Sequence, residues 1–236
     1  MRAARVFLTG LAVAAWLPAA SPEKQRVETR SVERFPFAPG GTIEVRNSFG
    51  ELKIEVWEHP QVEIEVTKGT HKKYSQEEEA RAMEHLDRIS VQAVRKADDR
   101  LVLSTGFPSR SLFYRPLRGK SNLRLVYRIK VPENVNLVVS HDVGSVEAAG
   151  LLGNIHITGR IGDISLRLPE SQEWQLDARA RIGDVDSQFG PPTRRRLLVG
   201  AQLRDRPAGQ ARRVYLRLGI GGISIKKTPG PRYRIV

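Results

Sequence analysis

The chain contains no cysteine among its 236 residues. That absence excludes the disulfide framework that stabilises many small exported domains. It also excludes a lipoprotein anchor, which needs a lipidated cysteine at the cleavage site, and any thiolate metal centre. The folded part must therefore be held together by side-chain burial and backbone pairing, for which a chain of this length is sufficient.

Recognised catalytic and metal-binding motifs are also missing. The sequence has no P-loop, no dinucleotide fingerprint and no G-x-S-x-G nucleophile turn. None of the histidines forms a pair at the H-x-x-x-H spacing that places two metal ligands on one helix face. They are His59, His71, His85, His141 and His156. We therefore expect no metal site, no cofactor and no enzymatic activity.

Only one part of the chain has a continuous apolar run, and it lies at the N-terminus. Arg2 and Arg5 precede the apolar stretch 6–17, and the small residues 18–21 follow it. The order of basic, apolar and small residues is that of a secretory signal peptide. Twelve helical residues span about 18 Å, which is less than the roughly 30 Å of a bilayer core. We therefore expect residues 1–20 to be a cleaved signal peptide, and the protein to be exported to the periplasm, cell surface or medium.

The formal net charge is +13, with 39 lysines and arginines against 26 acidic residues. Such an excess attracts anionic polymers, and in an exported protein these are polymers or acidic lipids of the envelope. We expect an anionic envelope polymer or an envelope protein as partner, with peripheral membrane contact possible. Nucleic acid is not expected, because export removes most targets and no interleaved aromatic residues provide a stacking platform for bases.

Alternation of apolar and polar residues dominates the chain and predicts β-strands. Residues 21–34 are charged without apolar periodicity and indicate a linker. Residues 35–131 are predicted to be β-rich with one helix at about 76–88, which starts at a capping box formed by Ser75 and Glu78. The stretch 106–121, rich in Gly, Pro, Ser and Arg, indicates a long loop. Residues 132–227 form a repeat region, and 228–236 form a tail.

The repeat unit is an apolar residue, a glycine, any residue and a second apolar residue. Its glycines are Gly50, Gly144, Gly153, Gly162, Gly183 and Gly221. With Gly200, every second copy gives a ladder at 144, 162, 183, 200 and 221, a period of about 17–21 residues. A period of this length predicts stacked coils. We therefore expect an all-β fold: a parallel single-stranded β-solenoid behind an N-terminal β-rich cap. A meander of hairpins with Gly-first turns is the alternative.

The order of these elements resembles a bacterial family known as "putative adhesin" domains of unknown function. The resemblance rests on FPFAPGGTIEVRNSFGELKIEVWEHPQVEIEVTK, the helix, DRLVLST, YRIKVPENVNLVV and the repeated G-[DSN]-[IV] units. It covers about residues 35–226. It implies an exported, repetitive β-strand protein and supplies no catalytic residues.

Two aspartates in neighbouring predicted coils are the one candidate for catalysis. Asp163 and Asp184 each follow a repeat glycine, and neighbouring coils would place their carboxylates about 5 Å apart. Such a separation suits a retaining glycosidase. The alternative is that aspartate simply favours a solvated corner beside glycine.

A basic cluster is the candidate anion-binding site. Its members fall within 24 residues: Arg194, Arg195, Arg196, Arg204, Arg206, Arg212, Arg213 and Arg217. Guanidinium groups bind phosphate, sulfate and carboxylate in forked geometry. The alternative is a solvated edge whose charge prevents strand-on-strand aggregation.

Together these features predict a non-catalytic, adhesin-like binding or scaffolding protein of the cell envelope. Two alternatives remain open. One is a β-helical enzyme that acts on polysaccharide through Asp163 and Asp184. The other is a module that assembles with copies of itself.

Overall fold

The computed structural model describes residues 24–96, 99–107, 122–196 and 199–229. The predicted signal peptide, most of the predicted loop 106–121 and most of the predicted tail lie outside these ranges. The described chain forms two large sheets and one helix.

The first sheet has eight strands. In spatial order these are β1 (Gln25–Pro36), β4 (Gln61–Tyr74), β7 (Leu123–Val131), β3 (Glu51–Val56), β9 (Val146–Ala149), β11 (Ile164–Pro169), β17 (Ile223–Thr228) and β13 (Val185–Ser187). The five strands from β3 to β13 run parallel, β7 joins them in parallel, and β4 and β1 are antiparallel.

The second sheet has nine strands. In spatial order these are β14 (Arg194–Arg196), β15 (Gly200–Asp205), β12 (Trp174–Ile182), β16 (Arg212–Ile220), β10 (Ile155–Ile161), β8 (Asn136–Val143), β2 (Thr42–Phe49), β6 (Arg100–Gly106) and β5 (Ser90–Lys96). Its strands from β12 to β6 are parallel, with antiparallel strands added at both edges.

Alternating apolar residues of both sheets form the core. Val45, Leu137, Ile157 and Leu216 are buried in the nine-stranded sheet, and Ile54 in the eight-stranded sheet. Because side chains point alternately to opposite faces of a strand, the residues between these core positions face outward. The outer face of the nine-stranded sheet is therefore lined by polar and charged side chains.

The predicted solenoid is wrong. Five strand pairs do cross from the nine-stranded to the eight-stranded sheet at a repeat glycine, but they are not stacked in chain order. The last pair, β16–β17, is inserted between β10–β11 and β12–β13. Antiparallel strands also flank the parallel block. The repeat pattern predicts the local unit, in which a strand of one sheet bends at a glycine and continues in the other sheet. It does not predict the order in which these units lie side by side.

The predicted separation into cap and repeats is not seen in the sheets. Strands β2 and β3 from the N-terminal part pair directly with β8 and β9 from the repeat part. Residues 25–34 of the predicted linker 21–34 instead form most of β1, which pairs with β4 over its whole length. Arg30 and Arg34 of β1 form ion pairs with Glu65 and Glu63 of β4. Because the residues of β1 that face β4 partners are charged, the sequence of this strand shows no apolar periodicity.

Helix α1 (Gln76–Asp87) lies where the sequence predicts a helix and packs on β1 and β4. The carboxylate of Glu78 accepts hydrogen bonds from the backbone N–H and hydroxyl of Ser75. Ala82 and Leu86 are the buried residues of the helix, and Ala80 is exposed.

The bends between the two sheets depend on glycine. Five repeat glycines have positive φ, in the spatial order Gly50, Gly144, Gly162, Gly221 and Gly183. A Cβ on Gly162 would overlap the carbonyl oxygen of Gly144, so neighbouring bends lie in backbone contact. Gly153 and Gly200 lie outside this stack, because neither has positive φ and Gly200 belongs to β15.

Replacement of Gly162 by alanine should therefore be strongly destabilising. The substitution combines an unfavourable φ of +138° with a backbone overlap, and we expect a loss of about 3 kcal/mol or more in the free energy of unfolding. Gly40 provides a matched control, since its φ is +92° and nothing lies within 4 Å of a Cβ built there. Gly40→Ala should cost only about 1–2 kcal/mol. Urea unfolding followed by tryptophan fluorescence measures both; equal losses would show that backbone contact between bends is unimportant.

Candidate functional site

A single row of polar side chains crosses the outer face of the nine-stranded sheet. The register of seven consecutive strand pairs places its members side by side: Ser104, Arg46, Ser140, Thr158, Arg217, Arg179, Gln202 and Arg194. We call this set the arginine row. At about 4.8 Å per strand it is about 34 Å long. It contains four cations, three hydroxyls and one amide, and no acidic residue.

An aromatic patch lies beside the centre of the arginine row. The rings of His156 and Tyr215 lie on paired positions of β10 and β16, with centroids 4.6 Å apart. The guanidinium carbon of Arg217 lies 3.8 Å from the centroid of the Tyr215 ring. Burial lowers the pKa of His156, and the neighbouring Arg217 lowers it further. The patch therefore offers a neutral ring surface next to fixed positive charge at neutral pH.

Arg217 is held in place by its surroundings. Its guanidinium group donates hydrogen bonds to the carbonyl oxygens of Asp177 and Leu216, at 2.9 and 2.8 Å. It also forms an ion pair with the carboxylate of Asp177 at 3.0 Å, and Arg204 approaches the same oxygen at 3.6 Å. Asp177 thus neutralises part of the charge and orients Arg217.

The other arginines on this face fall into two groups. Arg46 is also paired, with the carboxylate of Glu44 at 2.6 Å. Arg179, Arg194 and Arg213 form no ion pair with any carboxylate in the described ranges. All three are exposed.

On the outer face of the eight-stranded sheet, two glutamates of β4 each bind two cations. Glu63 on β4 binds Arg34 and Lys130 at 2.8 and 2.9 Å, and these hydrogen bonds hold the pKa of its carboxyl below the usual value, that from Lys130 most strongly. Glu65 binds Arg30 and Arg128 in the same way, at 2.6 and 3.1 Å. Four cations of β1 and β7 are therefore paired across β4, whereas Arg167 and Lys226, farther along this face, form no ion pair with a described carboxylate.

The predicted basic cluster is divided by the structure. Arg204, Arg213 and Arg217 lie on β15 and β16 on either side of β12, and Arg194 is on edge strand β14. Arg195 and Arg196 belong to β14, Arg212 begins β16, and Arg206 follows β15. The cluster supplies only Arg194 and Arg217 to the arginine row.

Sequence reasoning missed Arg46, Arg179 and the hydroxyls of the row. Their signal is an outward arginine, serine or threonine at the same position of several strands. Those strands come from distant parts of the chain, so the shared position is visible only once the order of strands is known.

The predicted aspartate pair does not form. The bend at Gly221–Gly222 lies between the bends that carry Asp163 and Asp184, because β17 pairs with both β11 and β13. The two aspartates are therefore two strand spacings apart, about 9.6 Å. Asp163 accepts a hydrogen bond from the backbone N–H of Gly222 at 2.9 Å, which is a structural role at a bend.

An open groove of about 560 Å³ adjoins the arginine row at the carboxyl ends of its strands. Its lining includes Arg46, Ser140 and Thr158 of the row and the ion pair between Arg160 and Asp142. The remaining lining residues are Asn47, Thr105, His141, Gly159 and Gly219.

Buried polar groups lie beneath the groove. His141 is 4% exposed, and its Nε2 lies 3.0 Å from the carbonyl oxygen of Gly50. Nδ1 of His141 and Nδ2 of Asn47 are buried without a hydrogen bond. Burial lowers the pKa of His141, opposed by the carbonyls of Gly50 and Asn47 and by the charge of Asp142.

Neither metal-binding nor membrane-spanning features occur in the described ranges. No group of three or more His, Asp or Glu side chains there is arranged to hold a metal ion. No helix there combines the length and the apolar composition needed to cross a bilayer.

Comparison with known proteins gives similarity to solved structures alone. No protein-family model matches the chain, and no curated protein matches it. The chain is similar to solved structures of bacterial proteins described as "putative adhesin" or "putative cell adhesion protein". A "putative cell adhesion protein" from Clostridium sporogenes has 14% identity and a TM-score of 0.42, over 85% of this chain and 100% of that one.

Two further structures are described as "putative adhesin". The protein from Parabacteroides distasonis has 10% identity and a TM-score of 0.28, over 84% of this chain and 65% of that one. The protein from Parabacteroides merdae has 8% identity and a TM-score of 0.25, over 85% and 78%. These descriptions match the kind of protein that the sequence resembles. The superpositions are too loose to transfer residue roles.

The buried His141 should make stability depend on pH. Because its pKa is lower in the folded protein than in the unfolded chain, the unfolded chain binds the proton more readily. The associated stability is present above the unfolded pKa of about 6.5 and is lost as the pH falls through the lower, folded pKa. Urea unfolding between pH 7.5 and 5 should show a smaller decline in His141→Gln than in the wild type. His71→Gln, at an exposed position, is the control. An unchanged decline in His141→Gln would exclude His141 as the cause.

Proposed function

We propose that this chain is a non-catalytic, exported binding protein of the bacterial cell envelope, and that its arginine row binds an extended acidic polysaccharide. The observation that carries the proposal is the in-register row of cations and hydroxyls without an acidic member. The resemblance of the sequence to adhesin domains is compatible with this role.

The shape of the row favours a polymer over a small ligand. Its length of about 34 Å exceeds the size of a single sugar or phosphate group several times. Arg46 lies near one end and Arg194 at the other, while Arg179 and Arg217 are on adjacent strands near the β14 side. An extended chain lying across the strands would contact several guanidinium groups at once, and the serine and threonine hydroxyls between them would offer hydrogen bonds.

The chemistry of the row favours acidic sugars. Guanidinium groups bind carboxylates in forked geometry. The ring surface of His156 and Tyr215 beside Arg217 provides an apolar body with polar edges, which suits the mixed apolar and hydroxylated surface of a sugar ring. The patch has only two rings, which does not supply the repeated stacking positions of a single-stranded nucleic-acid site.

Binding to polygalacturonate, a polymer of uronic acid, tests the proposal. We expect binding at 50 mM NaCl that weakens at 300 mM NaCl, because exposed charges are screened by salt. Neutral dextran should not bind. The triple variant Arg46→Gln, Arg179→Gln, Arg194→Gln should bind about tenfold more weakly, through the loss of three exposed contacts worth some tenths of a kcal/mol each. Biolayer interferometry with immobilised polymer measures these affinities.

A variant with the same loss of charge elsewhere is the matched control. Lys72, Lys73 and Arg81 are exposed on β4 and α1, away from the nine-stranded sheet. Their replacement by glutamine lowers the net charge by the same three units, and we expect affinity within about twofold of wild type. Equal weakening in both variants would show that binding follows net charge alone and that the arginine row is not a site.

A further inference from the structure

A second row crosses the nine-stranded sheet at its bends, and it is apolar and exposed. Strand register places Phe49, Val143, Ile161, Ile220 and Ile182 side by side, and Val199 follows because its carbonyl accepts the N–H of Gly183. We call this set the isoleucine stripe. Ile161, Ile182, Ile220 and Val199 are 44–59% exposed. The stripe is about 24 Å long.

Opposite charges flank the stripe. The sequence Arg-Ile-Gly-Asp occurs twice, at 160–163 and 181–184. In each of these two tetrapeptides the arginine precedes the exposed isoleucine on the nine-stranded sheet. The aspartate follows the glycine bend on the side of the eight-stranded sheet. At these two repeats the stripe therefore has an arginine border on one side and an aspartate border on the other. On the neighbouring strand β8, Asp142 takes the position beside Arg160 and forms an ion pair with it. In space, the uncharged segment Gly219-Ile220-Gly221-Gly222 lies between the two tetrapeptides.

We propose that the isoleucine stripe is the contact surface for a second copy of this chain, in a two-fold dimer whose axis runs along the stripe. In this arrangement each isoleucine faces its own counterpart. The arginine border of one copy faces the aspartate border of the other, so Arg160 meets Asp163 of the partner copy, and Arg181 meets Asp184. A two-fold axis that lies in the contact plane but perpendicular to the stripe would instead place aspartate opposite aspartate and arginine opposite arginine. The charges of the borders therefore favour the axis along the stripe.

The arginines of the border are available for such pairing. The Arg160 side chain is 70% exposed, and its present partner, Asp142, is itself 46% exposed. Arg181 is exposed and forms no ion pair with a described carboxylate. Asp163 uses Oδ1 for the N–H of Gly222, and a carboxylate has capacity for further hydrogen bonds.

The size of the surface sets the expected strength. Stripe and borders together cover roughly 500 Å² on each copy, against about 800 Å² in an interface of standard size. The dimer should therefore be weak, with a dissociation constant on the order of 10–100 µM. High local concentration on a surface would favour it. The inference does not depend on polymer binding, since it concerns the protein alone.

Sedimentation velocity of the purified protein from about 5 to 500 µM tests the proposal. We expect a reversible monomer–dimer equilibrium. The variant Ile161→Ser, Ile220→Ser should dissociate at least tenfold more readily. Because both side chains are already exposed, circular dichroism and thermal unfolding should show the wild-type fold. Ser substitution at Val32 and Val94, which are 45% and 50% exposed outside the stripe, is the control and should leave the equilibrium unchanged.

Charge reversal tests the orientation. The variant Arg160→Asp, Arg181→Asp makes both borders acidic, and Asp163→Lys, Asp184→Lys makes both basic. Each should be monomeric alone by repulsion, while an equimolar mixture should form a heterodimer. A wild-type monomer at 500 µM, or a dimer that survives the stripe substitutions, would overturn the proposal. A dimer that persists in each charge variant alone would refute the two-fold arrangement.

Discussion

The structure depends on backbone contact between successive glycine bends. At each bend a strand of the nine-stranded sheet passes into the eight-stranded sheet, and the next bend lies directly against it. A side chain at these positions would separate the layers, because its Cβ would occupy the space of a neighbouring carbonyl. The five stacked bends therefore align five parallel strand pairs without a register shift from one pair to the next, and this holds in both sheets.

That alignment turns single residues into rows. A side chain that faces outward in one strand has neighbours at the same height in every other strand. The arginine row and the isoleucine stripe both arise in this way from segments that are far apart in the chain. On the eight-stranded sheet, Glu63 and Glu65 neutralise four cations, whereas several arginines of the nine-stranded sheet have no such partner.

The two rows suggest a division of roles for a protein that acts at a surface. Binding through many weak contacts along a row tolerates variation in the ligand and gains strength from repetition. Weak pairing through the isoleucine stripe would join two such rows and so increase the effective valency. Similar folds carry unrelated functions, and the proposed role therefore rests on these surfaces rather than on the likeness to adhesin structures.

The sequence by itself determined the strands that alternate apolar and polar residues, the helix at Gln76–Asp87 and the dependence of the bends on glycine, because alternation, capping and glycine spacing are local properties. It did not determine β1, most of whose residues lack apolar alternation and were predicted as a linker. It did not determine the order of the strand pairs. The repeat units are so similar that any could pair with any other, and only tertiary packing decided that β16–β17 lies between β10–β11 and β12–β13. That choice separated Asp163 from Asp184 and placed Arg217 beside Arg179. The row joining Arg46 to Arg194 is thus a product of strand order, which no local pattern records.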